Sequence, residues 1–499
     1  MNHQPCFARK YLHVALLGIG VATMPFAAHA AIVTIVNADA PGVGLNDPTP
    51  RAPEGGNPGA TLGAQRLIAL QHVADNWGAK LESTVPITIS VSFQDAGFTC
   101  AVNPDDFVYL AYSGPTAYYQ GNPPYPAHPY VYPVALRNAI VGAEADPSMP
   151  NITARFNARF DSTPGCLPGY DGFWYGIDPT LAPPGGSSKL SIVSLATHEF
   201  AHGLGFINNV NLQNGSAFPP YYYVWSDWLY DLQMGLRWQD MSDAQRAASA
   251  TNDPNLVWSG PNVTGAQSVH LRPPYRLKVG ATAQAGEVKQ AYFGDLVPRS
   301  GLAGLGAVVN DGSANPEEGC NPLVNPAAIQ GRLAVVKRGT CAFGTKAHNA
   351  EQAGAIGVLI LNNRAEAPSD PLPTAAAADF TLRVPTVTVA WQTGLDLLAT
   401  LGSAPDTPVG IELVPGAIDI GANDGYVRMF APETLQVSSS VSHFTDESNA
   451  PLLMMSSVTG ASFDRTDMTE DLLRDAGWQL APGVGNTIFT NGLEVDPIH

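Results

Sequence analysis

The segment HEFAHGLGF, residues 198–206, holds the side chains in this chain best suited to chemistry. His198 and His202 are four residues apart, so on a helix they stack on one face, spaced to hold one metal ion. Neutral imidazoles of this kind suit zinc, at Zn–N distances of roughly 2.0–2.1 Å. Glu199 is turned too far round to bind the same ion but can reach a water beside it, the placement of a general base. The motif is short, and two histidines on an ordinary helix would give the same letters. Its context counts against that reading. Val193, Ala196, Phe200 and Leu204 recur at helical spacing and predict one buried face, with the histidines looking the other way. Gly203 and Gly205 follow, able to end the helix with positive φ.

A hydrolytic zinc takes three protein ligands and leaves a fourth position for water. No glutamate lies between Glu199 and Glu287, which disfavours a ligand from the next helix. Six residues beyond the second histidine stands Asn208, a poor zinc ligand. Asp227 and Asp231 are available but sit in no supporting pattern, and a solvated helix face explains them as well; His443, read without any likeness, is as readily an exposed loop residue.

The whole chain bounds these readings. Its 499 residues allow two or three domains, and 14% charged residues is ordinary for a globular protein. A net charge of −18 disfavours nucleic acid and anionic membranes as partners. Residues 1–30 read as a secretory signal: Arg9 and Lys10, an apolar run, then Ala28-His29-Ala30 as a cleavage site, which predicts a secreted protein, extracellular or periplasmic, with no membrane span after cleavage. The remaining cysteines are Cys100, Cys166, Cys320 and Cys341, an even number for an oxidising compartment. Nearness in sequence favours the pairs 100–166 and 320–341 over the other pairings, and the spacings lack the CxxC of a four-cysteine zinc site.

Around the motif, residues 31–63 are rich in Gly, Pro, Asn and Asp and predict an extended arm rather than packed helices or strands. Leu67, Leu70, Val73, Trp77 and Leu81 mark an amphipathic helix, with His72 on its surface. VPITISVSF (85–93) and ITARFNARF (152–160) read as strands, and 221–232 as a half-buried helix. From about 275 to 412 the pattern becomes that of a separate α/β unit, with strands at 333–339, 357–363 and 384–391 and a helix carrying Phe343, Ala347, Ala350 and Ala353 on one side, Lys346 and His348 facing solvent. DLLRDAGW (471–478) closes the second lobe, and 481–499 are loop-like.

HEFAHGLGF, a long interruption, then SHF with a methionine eleven residues after its histidine, resembles the leishmanolysin-type metzincins. The likeness implies His443 as third zinc ligand and Met454, with Met455 an equally available neighbour, as the methionine turn beneath the metal. The chain differs from that family in the length of the interruption and in lacking a spare cysteine ahead of the lobe. The interrupting stretch GCNPLVNPAAIQGRLAVVKRGTCAFGTKAHNAEQAGAIGVLILNN is similar to the protease-associated (PA) domain. These likenesses imply an α+β, metzincin-like zincin domain (31–270 and 415–480) interrupted by an α/β PA domain (271–414). The expected activity is zinc-dependent cleavage of protein or peptide substrates, with Glu199 as base. An inactive secreted binding or adhesion protein on the same scaffold, and a zinc hydrolase of a non-peptide amide or ester, are the competing expectations. The acidic balance permits calcium, but no loop has EF-hand spacing.

Overall fold

The computed structural model describes residues 30–100, 108–120, 130–167, 170–178, 189–217, 222–283, 288–365, 382–450, 452–456 and 466–481. The signal reading of residues 1–30 (Ala30 apart) and the C-terminal tail beyond 481 lie outside the described residues.

A four-stranded sheet runs in the order Val33–Asn37, Ile87–Gln94, Ile152–Asn157, Ala111–Pro115. The first three strands are parallel and the last is antiparallel at the edge. Alternation in Ile87–Gln94 buries Ile87, Ile89, Val91 and Phe93 on one face. Two helices cover the sheet, Leu62–Lys80 and Ile192–Leu204, and are joined where the Trp77 indole donates to the Thr197 carbonyl at 3.2 Å. Val33–Asn37 corrects the expectation of an arm without strands. Val33, Thr34, Ile35 and Val36 are β-formers whose signal is diluted by the Gly- and Pro-rich residues that follow.

Other expectations also shift. Leu67 is exposed, while Gln65 and Arg66 on the same helix are buried. Arg66 is held by Asp161 (2.7 Å), the Tyr175 hydroxyl (3.1 Å) and the Gly44 carbonyl (3.1 Å), so one guanidinium ties the N-terminal segment at Gly44 and the residues that follow the strand Ile152–Asn157 to the helix. The stretch 221–232 is a short helix, Val224–Trp228, followed by a strand, Leu229–Asp231. Asp231 faces the interior, where it accepts from Ser249 Oγ (2.7 Å), Asn252 Nδ2 (2.8 Å) and the Met234 N–H (2.9 Å); its hydrogen bonds offset its burial. Asp227 is buried too and pairs with Arg237 at 3.5 Å, so neither is a solvated helix residue.

Beyond Leu271 seven strands close on themselves: Tyr275–Val279, Val288–Gln290, Thr386–Val389, Gly357–Leu361, Leu333–Lys337, Leu302–Val308 and Pro408–Leu413, which pairs back with Tyr275–Val279. The α/β unit expected here is thus a barrel, mixed in strand direction, with helices Phe343–Gln352 and Trp391–Ser403. Among the described residues its core draws only on the barrel segment, with Leu277, Val335, Leu359, Val387 and Ile411. Lys346 is buried rather than solvent-facing; its ammonium donates to the Glu318 carbonyl at 2.7 Å, and burial lowers its pKa to about 8. The core of the other lobe mixes residues from before the barrel (Leu70, Phe156, Phe200) with residues after it (Phe444, Met454, Trp478).

Cys100–Cys166 and Cys320–Cys341 are disulfides. The first closes a span of 66 residues. Loop-closure entropy for that span predicts that removing it, by Cys100→Ser with Cys166→Ser, costs about 4 kcal/mol of stability. Thermal unfolding of the double variant under non-reducing conditions reads this directly; an unchanged melting temperature contradicts it.

Candidate metal centre

The helix Ile192–Leu204 starts at Ser191, whose side chain accepts from the Ser194 N–H at 3.3 Å. It is buried almost all round, not on one face alone: His198 and Glu199 are buried with Val193, Ala196, Phe200 and Leu204, and only His202 is half-buried. Gly205 ends it, with φ of 125° and its N–H shared between the Ala201 and His202 carbonyls. Gly203 does not share this role. It lies within the helix against the strand Ile152–Asn157, where an added Cβ would stand 2.3 Å from Ile152 Cγ2. Gly203→Ala is therefore expected to cost about 1–3 kcal/mol by overpacking. Chemical denaturation measures it, and a neutral result shows that the helix can shift.

The turn at Gly205 brings the Phe206 carbonyl back onto His202, whose Nδ1 lies 2.7 Å from it. His198 Nδ1 meets the Leu453 carbonyl at 2.7 Å, and His443 Nδ1 meets the Ser439 carbonyl at 2.7 Å. Carbonyl oxygens only accept, so each Nδ1 carries the proton and each Nε2 presents a lone pair. Those three Nε2 atoms converge. His198 Nε2 is 3.2 Å from that of His202 and 3.3 Å from that of His443. Burial drives the His198 pKa down to about 4; burial, then the neighbouring His198, drives that of His443 to about 3. His202 is lowered strongly by burial, then by the two other rings. Among the described residues this is the one group of three His, Cys, Asp or Glu side chains placed to share an ion.

The arrangement fits zinc. A tetrahedral ion with Zn–N distances of about 2.0–2.1 Å needs its nitrogens about 3.3–3.4 Å apart. Three neutral rings with facing lone pairs have no proton to share and gain from a cation between them. Asn208, Asp227 and Asp231 stand outside this group.

Glu199 faces the same space. Its Oε2 is buried with no hydrogen-bond partner among the described residues, and burial raises its pKa to about 8. With His202 and His443 it lines a cleft of about 1500 Å³. One wall is the edge strand, through Ala111, Tyr112 and Ser113; the other is the segment from Leu435 to Ser442. Met454 and Met455 are both buried next to the third histidine's strand-like pairing, where the Phe444 N–H donates to the Met454 carbonyl at 2.8 Å. The Met455 sulfur accepts from the Leu452 N–H at 3.4 Å.

The carbonyls of Phe206, Ser439 and Leu453 escape any reading of side chains, since backbone groups leave no mark on residue type. Asp467 was open to detection only through the fold: it accepts from the Leu453 N–H and from Thr469 N at 3.0 Å, holding the carbonyl-bearing turn against His198.

Comparison with known proteins gives one family match: a model for the PA domain covers residues 293–397, so a PA domain lies within the barrel segment. Human ER degradation-enhancing alpha-mannosidase-like protein 3 is 34% identical over 94 residues, 17% of this chain and 10% of that protein. Signal peptide peptidase-like 2 of Arabidopsis thaliana is 49% identical over 53 residues, 11% of this chain and 9% of that protein. The chain thus spans about a tenth of the length of these curated relatives. Among solved structures, an aminopeptidase from Aneurinibacillus sp. strain AM-1 is similar with a TM-score of 0.21 and 24% identity, over 30% of this chain and 32% of that one. BSAP, a zinc aminopeptidase from Bacillus subtilis, gives a TM-score of 0.22 and 17% identity over 30% and 35%. The two disulfides are compatible with an oxidising compartment, and no helix of the described residues is long and apolar enough to cross a membrane.

Proposed function

We propose that this chain is a secreted zinc endopeptidase of metzincin type, its catalytic lobe interrupted by the PA domain. The observation that carries the proposal is the convergence of three Nε2 lone pairs beside a buried, unpartnered carboxyl oxygen. His198, His202 and His443 would hold the ion. Zinc bound there supplies Lewis acidity for a carbonyl and brings the pKa of a bound water to about 7.

The chain's own residues do the rest. Glu199, protonated near neutrality in the metal-free site, would ionise with a cation beside it; its carboxylate then takes the proton from the attacking water and passes it to the leaving amine. The strand Ala111–Pro115 ends its sheet, so its outer edge offers N–H and C=O groups to an extended polypeptide laid along the cleft. Strand addition of this kind recognises backbone, as an enzyme cutting within chains requires. Gly205 and Ser191 fix the ends of the helix and so the aim of His198, Glu199 and His202.

The cleft also selects. Leu110, Leu167, Leu190, Leu195, Ile207 and Val210 line it together with serines, asparagines and glutamines, and among the described lining residues Glu199 is the one acidic group, with no lysine or arginine. A charged substrate residue would lose its water here without gaining a partner. In a peptide-library digest, charged residues flanking the cleaved bond are expected to be depleted roughly tenfold or more relative to apolar ones; charged residues accepted freely there would refute the selection.

The direct test of the activity is metal analysis with a casein assay. About one zinc per chain, with hydrolysis abolished by a chelator and restored by zinc, supports the reading. Undiminished hydrolysis by metal-free protein overturns it, and bound zinc without hydrolysis leaves a binding protein built on the same scaffold.

A further inference from the structure

The barrel grips the loop that follows His443. Asn449, 4% exposed, accepts from the Gln290 N–H at 3.2 Å and donates to the Pro273 carbonyl at 3.1 Å, the point where the chain enters the barrel. Gln290 is itself buried and knits the barrel together: its side chain donates to the carbonyls of Thr386 (3.1 Å) and Asp295 (3.3 Å) and accepts from the Val297 N–H (3.1 Å). Two residues on, Tyr292 packs against the core of the other lobe, close enough to Asp446 to feel its charge. Asp446 in turn accepts from the N–H of Ser456, a residue of the cleft wall, at 2.8 Å.

Between these anchor points the described residues of 444–456 lie in no helix and no sheet strand. The loop nevertheless carries the Leu453 carbonyl that fixes the tautomer of His198. Asp467 holds the Leu453 N–H directly, and the barrel steadies the same loop through Asn449.

We propose that the inserted barrel is a working part of the histidine site, and that Asn449 is the positioning residue through which it holds Leu453 and hence His198. The proposal rests on the zinc-site reading above. Removing the Asn449 amide leaves the buried Gln290 N–H and Pro273 carbonyl short of their partners and lets the loop relax. Partners that orient a ligating histidine are worth about 10–100-fold in metal affinity.

The test uses the full chain loaded with zinc, then with cobalt(II). Asn449→Ala is expected to release zinc to a competing chelator about 10–100-fold more readily and to change the visible cobalt spectrum. Asn449→Asp, which keeps the acceptor toward Gln290 but turns an oxygen toward the Pro273 carbonyl, should also release zinc more readily than the natural protein, and serves if the alanine variant does not fold. Arg299→Ala is the control: it removes the 2.7 Å contact to Asp419 elsewhere at the junction of the two lobes. It should lower the melting temperature while leaving zinc release and spectrum unchanged. Natural protein that binds zinc, with both Asn449 variants holding it equally well or matched by Arg299→Ala, overturns this proposal alone. Natural protein that binds no zinc overturns the zinc reading, and this one with it.

Discussion

Replacing His443 with alanine is expected to empty the metal site while leaving both lobes folded. Tight structural zinc sites bind with roughly 10–16 kcal/mol, so the loss of one of three protein ligands removes on the order of 3–5 kcal/mol, about 10²–10⁴-fold in affinity. Zinc content after dialysis against a weak chelator should fall from near one per chain to a small fraction, and hydrolysis with it. The substitution removes a ring that is 4% exposed, so near-UV circular dichroism must accompany the measurement to show that the core has not collapsed. Retained stoichiometric zinc would mean that the ion is held by other groups. A His198→Ala variant should behave alike, because His198 Nε2 lies within 3.3 Å of both other Nε2 atoms.

The sequence shows His198, Glu199 and His202 because a helix converts a four-residue spacing into a shared face. It shows His443 only through family likeness, since 245 residues separate it from His198 and no periodicity spans that gap. What brings it in is the common core, with Phe444 and Met454 after the barrel packed among residues that precede it. The strands at 333–337, 357–361 and 386–389 are legible as apolar runs, but closure of the barrel depends on Pro408–Leu413 pairing with Tyr275–Val279, a long-range register that composition does not encode. Polar residues mislead in the other direction. Lys346, Asp231 and Arg66 look solvated by type and are buried because each finds partners that only the fold supplies. The Asn449 bridge is of the same sort, one amide in a loop whose importance lies in the two backbone groups it joins.

Glu199→Gln is expected to separate binding from turnover. Glutamine keeps the size of the side chain and does not ligate the ion, so zinc content stays near one per chain; the base is gone, and kcat falls by about 10²–10⁴-fold with little change in KM. A second consequence belongs to the metal-free protein. There burial holds the Glu199 pKa at about 8, above its ordinary 4.5, so the folded state keeps a proton that the unfolded chain releases. Linkage then makes this group's contribution to stability complete below about pH 4.5 and lost as the pH rises through about 8. Glutamine cannot ionise and escapes that loss. Chelator-treated Glu199→Gln protein should therefore outlast chelator-treated natural protein against urea at pH 9, with the difference shrinking toward pH 5. A zinc-loaded variant that turns over at the natural rate would remove Glu199 from the chemistry, whereas equal metal-free stabilities at pH 9 would show instead that its carboxylate reaches water.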